Sequence, residues 1–148
     1  MRRYNISDVG YLASDFGLQD RNDCVIRALA NVGKMPYVQA RERLMSAGRK
    51  VNRGTTHQQY AKLYAECGGK LTLFSRKGKR LADFVEDVHS VNPKGITVGK
   101  LLPKLTKGSY IVWVRRHVFA VVDGRVIDTC GGSADTHVIG LYTFGDDV

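Results

Sequence analysis

No uninterrupted apolar run in the 148 residues is longer than five. A transmembrane helix needs roughly 20, so none is expected. The charged start, Met1-Arg2-Arg3, has no apolar segment behind it. That excludes a secretory signal and makes a cytoplasmic location the expectation. The three cysteines stand at 24, 67 and 130, with no CxxC pair among them. An odd count in a reducing compartment argues against a disulfide framework, and the spacing argues against a structural zinc site. Internal repeats and low-complexity stretches are lacking. So are a helix-turn-helix signature and an RNA-binding aromatic motif.

What is present is a composition suited to folding. Apolar residues make up 43%, too many for a disordered tail. A length near 150 fits one domain with one core, so residues 1–148 are read as a single domain. Twenty-three Lys and Arg against fourteen Asp and Glu leave a formal net charge of +9. Taken alone, that charge points to nucleic acid or an acidic partner. Basic residues gather at Arg76, Lys77, Lys79 and Arg80 and again at Arg115 and Arg116.

The pattern of elements divides the chain in two. A helix is expected over 23–31, because Val25, Ala28, Leu29 and Val32 recur at helical spacing and Gly33 provides a stop. A second starts at Pro36 and ends before Gly48, and a third runs over 56–67 and stops at Gly68-Gly69. Residues 70–74 alternate as a strand, 81–89 read as a short helix, and 98–105 as a weaker helix broken by Pro103. Then come the strands 109–114 and 118–122, the strand 125–128, and a last strand over 137–144. Asp123-Gly124, between two apolar runs, is a strong hairpin signal, since a type I′ turn needs positive φ at both central residues. Helices (about 20–90) followed by an antiparallel sheet (about 95–148) make the expected class α+β, with the N-terminal helices packed on the sheet.

Cys24 falls in the first turn of the first helix. There the unpaired backbone N–H groups and the positive end of the helix dipole favour an anion, and the thiolate is the nucleophilic form of cysteine. The ordinary role of a free cysteine is that of a small buried core residue. His117 alternates with Phe119 and Val121 on one face of its strand. If Asp123 and Gly124 are the turn, Phe119 pairs with Asp128, and His117 becomes the diagonal neighbour of Asp128, roughly 7–8 Å away at the backbone. Asp128 can then orient the imidazole and leave its second nitrogen free as a base. Gln19, five residues before Cys24, is a candidate oxyanion donor, with Asn22 as its competitor. His57, His89 and His137 read as surface or structural histidines and Cys67 as a packing residue. Cys130, two residues beyond Asp128, falls near the same candidate site.

These residues, in this order, resemble the papain-like cysteine peptidase superfamily. Its order is oxyanion glutamine, cysteine at a helix start, histidine on a strand, then asparagine or aspartate on the next strand. Gln19 and Cys24 in LQDRNDCVIRALA, His117 in GSYIVWVRRHVFAVVDG and Asp128 in RVIDT match it. The compact bacterial and phage members, such as domains that trim bacteriocin leaders, are the most similar. The resemblance implies a papain-like fold and a thiol-dependent hydrolase, specifically a cysteine peptidase of phage or bacterial origin acting on a protein or peptide. It implies no metal and no organic cofactor. Transglutaminase-like and acyltransferase relatives share the Cys-His-Asp order, so acyl transfer stays open. A basic nucleic-acid-binding protein, and an inactive papain-like module that binds a host protein, are also compatible with the sequence.

Overall fold

A computed structural model describes residues 24–48, 57–74, 88–127 and 133–145. Three helices open this part of the chain: α1 (Cys24–Gly33), α2 (Tyr37–Ser46) and α3 (His57–Glu66). They match the expected helices to within two residues at each end. Pro36 sits just before α2 as its N-cap, where a missing N–H costs nothing. Past α3, Gly68 takes φ +93°, and Gly69 N–H donates to the Tyr64 carbonyl at 2.9 Å. That is a Schellman-type stop, which requires a residue tolerant of positive φ.

Among the described residues six strands form one sheet: β1 (Lys70–Phe74), β2 (Val88–Asn92), β3 (Ser109–Val114), β4 (His117–Val122), β5 (Arg125–Ile127) and β6 (Val138–Phe144). Their order is β2-β1-β6-β3-β4-β5. The α+β class holds, but the sheet departs from the expected one in two respects. β1 and β2 come from the middle of the chain, and they pair in parallel; every other pairing is antiparallel. β2 also corrects the expected helix over 81–89 at its end, since 88 and 89 are strand; residues 81–87 lie outside the described residues. The sequence hides β2 because it is a sheet edge with only Val88 and Val91 half-buried. A spacing of three between its apolar residues mimics a helix period.

The β4–β5 hairpin forms as its sequence predicts. Asp123 has φ +48° and Gly124 φ +81°, and Val122 pairs with Arg125, Val121 with Val126 and Ala120 with Ile127. Asp123 also clasps the loop before β3: its N–H donates to the Gly108 carbonyl at 2.9 Å, and its Oδ1 accepts from Gly108 N–H at 3.0 Å.

Both faces of the sheet are covered, not one. On the first face Leu71, Leu73, Ile111, Val118, Ala120, Tyr142 and Phe144 pack with α1, α2 and α3. On the second, Val112, Val114, Phe119, Val121, Val138 and Leu141 pack with Val98, Leu101 and Leu105. The latter come from α4 (Val98–Leu101), the 3-10 turn Leu102–Lys104 and the residue after it. Pro103 falls inside that turn, where the expected helix is broken. α1 lies along β4 and also touches β3. Ala120, fully buried under α1, has a side chain short enough for the helix to approach the strand closely. No helix among the described residues is long and apolar enough to cross a membrane.

Candidate active site

Cys24 is the first residue of α1 and is only partly buried. Its first turn is held from the side by α3: the Tyr64 hydroxyl donates to the Val25 carbonyl at 3.1 Å. Tyr60 and Tyr64 are one helical turn apart, so they share a face of α3. Both lie close enough to Cys24 for a negative charge there to disfavour their phenolates. Tyr142 on β6 completes the group, its ring 5.0 Å from Tyr64 at 84° and 6.5 Å from Tyr60 at 66°. Edge-to-face pairs of this kind contribute about 0.5–1.5 kcal/mol beyond their area burial. Sequence reasoning missed this tyrosine group. The spacing of 60 and 64 on α3 is the one signal for it, and nothing local ties that pair to residue 24.

Burial pushes the Tyr60 and Tyr64 phenols well above the ordinary value of 10.0, with the neighbouring tyrosines and Cys24 adding to the effect. Both phenols are therefore neutral donors at neutral pH. A folded-state value raised above the unfolded one contributes stability that is fully present below about pH 10 and is lost as pH rises from there through the folded-state value. Alkaline unfolding is expected above pH 10, with tyrosinate absorbance at 295 nm rising in step with loss of far-UV circular dichroism. Titration of all seven tyrosines near pH 10 with the fold intact would contradict it.

His117 is the first residue of β4, directly after the turn Arg115-Arg116, in which Arg116 takes φ +62°. It pairs with Val114 across the hairpin. Its half-buried ring stacks on Phe119, centroids 5.9 Å apart at 29°. That alternation is the expected one. It places His117 on the second face, with Val114 and Phe119, whereas Cys24 packs with the cluster on the first face. The structure thus brings Cys24 to a group of tyrosines and His117 to a phenylalanine, with the sheet between the two clusters.

Gln19, Asp128 and Cys130 lie outside the described residues, as do Arg76, Lys77, Lys79 and Arg80. The β4–β5 register is described as far as Ala120 with Ile127, and the expected pairing of Phe119 with Asp128 lies outside the described residues. Arg115 and Arg116 are exposed at the tip of the β3–β4 turn. His89 is exposed on the edge strand β2, His137 is exposed at an isolated bridge to Thr97, and His57 opens α3. Cys67 packs against the first cluster just past α3. Burial raises its thiol, and the nearby Arg43 guanidinium partly offsets that. Among the described residues no group of three or more His, Cys, Asp or Glu is placed to hold a metal ion. No protein-family model matches the chain, and neither a curated protein nor a solved structure matches it.

Proposed function

We propose that this protein is a thiol-dependent hydrolase, specifically a cysteine peptidase, with Cys24 as its nucleophile. The observation that supports this most is the position of Cys24: first residue of α1, partly exposed, with α3 bracing the turn beneath it. Backbone N–H groups at a helix start favour the thiolate and can also receive an oxyanion. In this reading the Cys24 sulfur attacks a peptide carbonyl and forms an acyl-enzyme. His117 takes the thiol proton and returns it to the leaving amine, and Asp128 orients the imidazole. Gln19 and the Cys24 N–H hold the oxyanion, and water releases the acyl group. The reading requires the His117 ring to leave Phe119 and turn about the start of β4 toward the thiol. Transfer of the acyl group to an amine in place of water uses the same residues.

The stacking of His117 on Phe119, on the face away from Cys24, favours a second reading. In it the chain is an inactive papain-like module that captures a partner protein. Iodoacetamide labelling with adduct mapping separates the two. For the hydrolase, Cys24 labels faster than Cys67, and His117→Ala changes the pH profile of that labelling. Equal labelling of the two thiols, with a profile indifferent to His117, leaves the binding module.

A further inference from the structure

The charge of the molecule is unevenly placed. Residues 94–127 contain seven Lys or Arg and a single acid, so this segment carries +6 of the net +9. The acid is Asp123, exposed in its turn, whose carboxylate accepts from the Gly108 N–H. Among the described residues none of the seven cations forms an ion pair.

Three of the seven converge at one end of the sheet. The clasp between Asp123 and Gly108 brings the loop before β3 against the β4–β5 turn. The contact is close: a Cβ on Gly124 would lie 3.6 Å from the Thr106 carbonyl oxygen. Lys107 follows Thr106, Lys104 lies two residues before it, and Arg125 follows Gly124, all exposed. Tyr110 stands in the middle. It is half-buried, and its hydroxyl donates to the Lys107 carbonyl at 2.8 Å. That bond, with packing against the second-face cluster and Gly108, holds the ring in place at a partly exposed position. Across the strands Tyr110 pairs with Thr143 and Thr143 with Lys70, so exposed Thr143 and Lys70 share its face.

We propose that this end of the sheet binds a single-stranded polynucleotide. Lys104, Lys107, Arg125 and Lys70 meet the phosphates, and a base stacks on Tyr110. Cations with no ion pair among the described residues, near a fixed and partly exposed aromatic ring, are the combination that single-stranded nucleic acid requires. An acidic protein segment would use the cations but has no need of the ring. Tyr110 packs with the cluster on the sheet face opposite the one Cys24 packs against, so the proposal stands whether or not the thiol is catalytic.

Fluorescence anisotropy with labelled twelve-nucleotide oligothymidine and oligouridine tests it, alongside a twelve-base-pair duplex and an oligoglutamate peptide of equal charge. Both single strands are expected to bind at 50 mM salt, more tightly than duplex or peptide. The log–log salt slope should be about −3, as for roughly four phosphate contacts at −0.7 each. Lys104→Glu with Lys107→Glu should weaken binding at least tenfold and flatten that slope, and Tyr110→Ala should weaken it about tenfold. Arg116→Glu, at the opposite end of the sheet, should change it less than twofold. The two lysine changes are fully exposed, so the test does not depend on Tyr110→Ala folding. Absence of binding at 50 mM salt, tighter binding of oligoglutamate, or affinity indifferent to the lysine pair overturns the proposal.

Discussion

Cys24→Ala is expected to lower hydrolytic turnover by about 10⁴-fold or more, with the fold retained. Nucleophile and base in a triad act as a unit, so losing either removes nearly the whole covalent route. His117→Ala should therefore cost about as much as Cys24→Ala, and the double variant should be little worse than either single one. That lack of additivity is the informative result. It distinguishes a base that works on the thiol from a histidine that merely supports the hairpin, whose loss would multiply with the first. Measured turnover of the three variants on a fluorogenic peptide decides it. A His117→Ala protein that keeps more than about a tenth of wild-type turnover would remove His117 from the mechanism. Cys24→Ala itself should barely disturb stability, since the thiol is small and only partly buried.

Tyr64→Ala is expected to destabilise the protein by about 3–5 kcal/mol, the range for deleting a buried aromatic ring. Against a total of about 5–15 kcal/mol, that brings the fold close to its limit. Tyr64 is fully buried and touches Tyr60, Tyr142 and Phe144. Its hydroxyl also bonds α3 to the first turn of α1. Tyr64→Phe keeps the ring and loses that bond, so it should cost about 1 kcal/mol. Urea unfolding with an unchanged m-value measures both. Equal costs for the two variants would mean that the hydroxyl, not the ring, carries the stabilisation. A cost below about 1 kcal/mol for Tyr64→Ala would mean that α3 is not holding α1 as described.

How legible this molecule is depends on whether a feature is local. The α1 and α3 helices follow from apolar spacing and glycine stops, and the β4–β5 hairpin follows from Asp123-Gly124. In each case a few neighbouring residues set the backbone. β2 is hidden because an exposed edge strand carries no alternating pattern, and its partner β1 lies in the chain beyond an intervening segment. The tyrosines around Cys24 are hidden for a similar reason, as residues 24, 60, 64 and 142 meet only after α1, α3 and β6 pack. Asn31 shows the same limit in small. Its amide donates to the Arg27 carbonyl at 2.8 Å, but its buried Oδ1 has no hydrogen-bond partner among the described residues, which helical spacing does not foretell.

The sequence by itself determined that Cys24 opens a helix, and that His117 shares a strand face with Phe119 and faces away from Val118 and Ala120. Period and turn chemistry are enough for that, because each acts over a few residues. Only the tertiary structure decided which of those two faces α1 covers. It covers the face of Val118 and Ala120, where the short Ala120 side chain admits the helix and Tyr64 ties it down. Side-chain volume and long-range packing made that choice, and it leaves His117 stacked on Phe119 on the face away from Cys24.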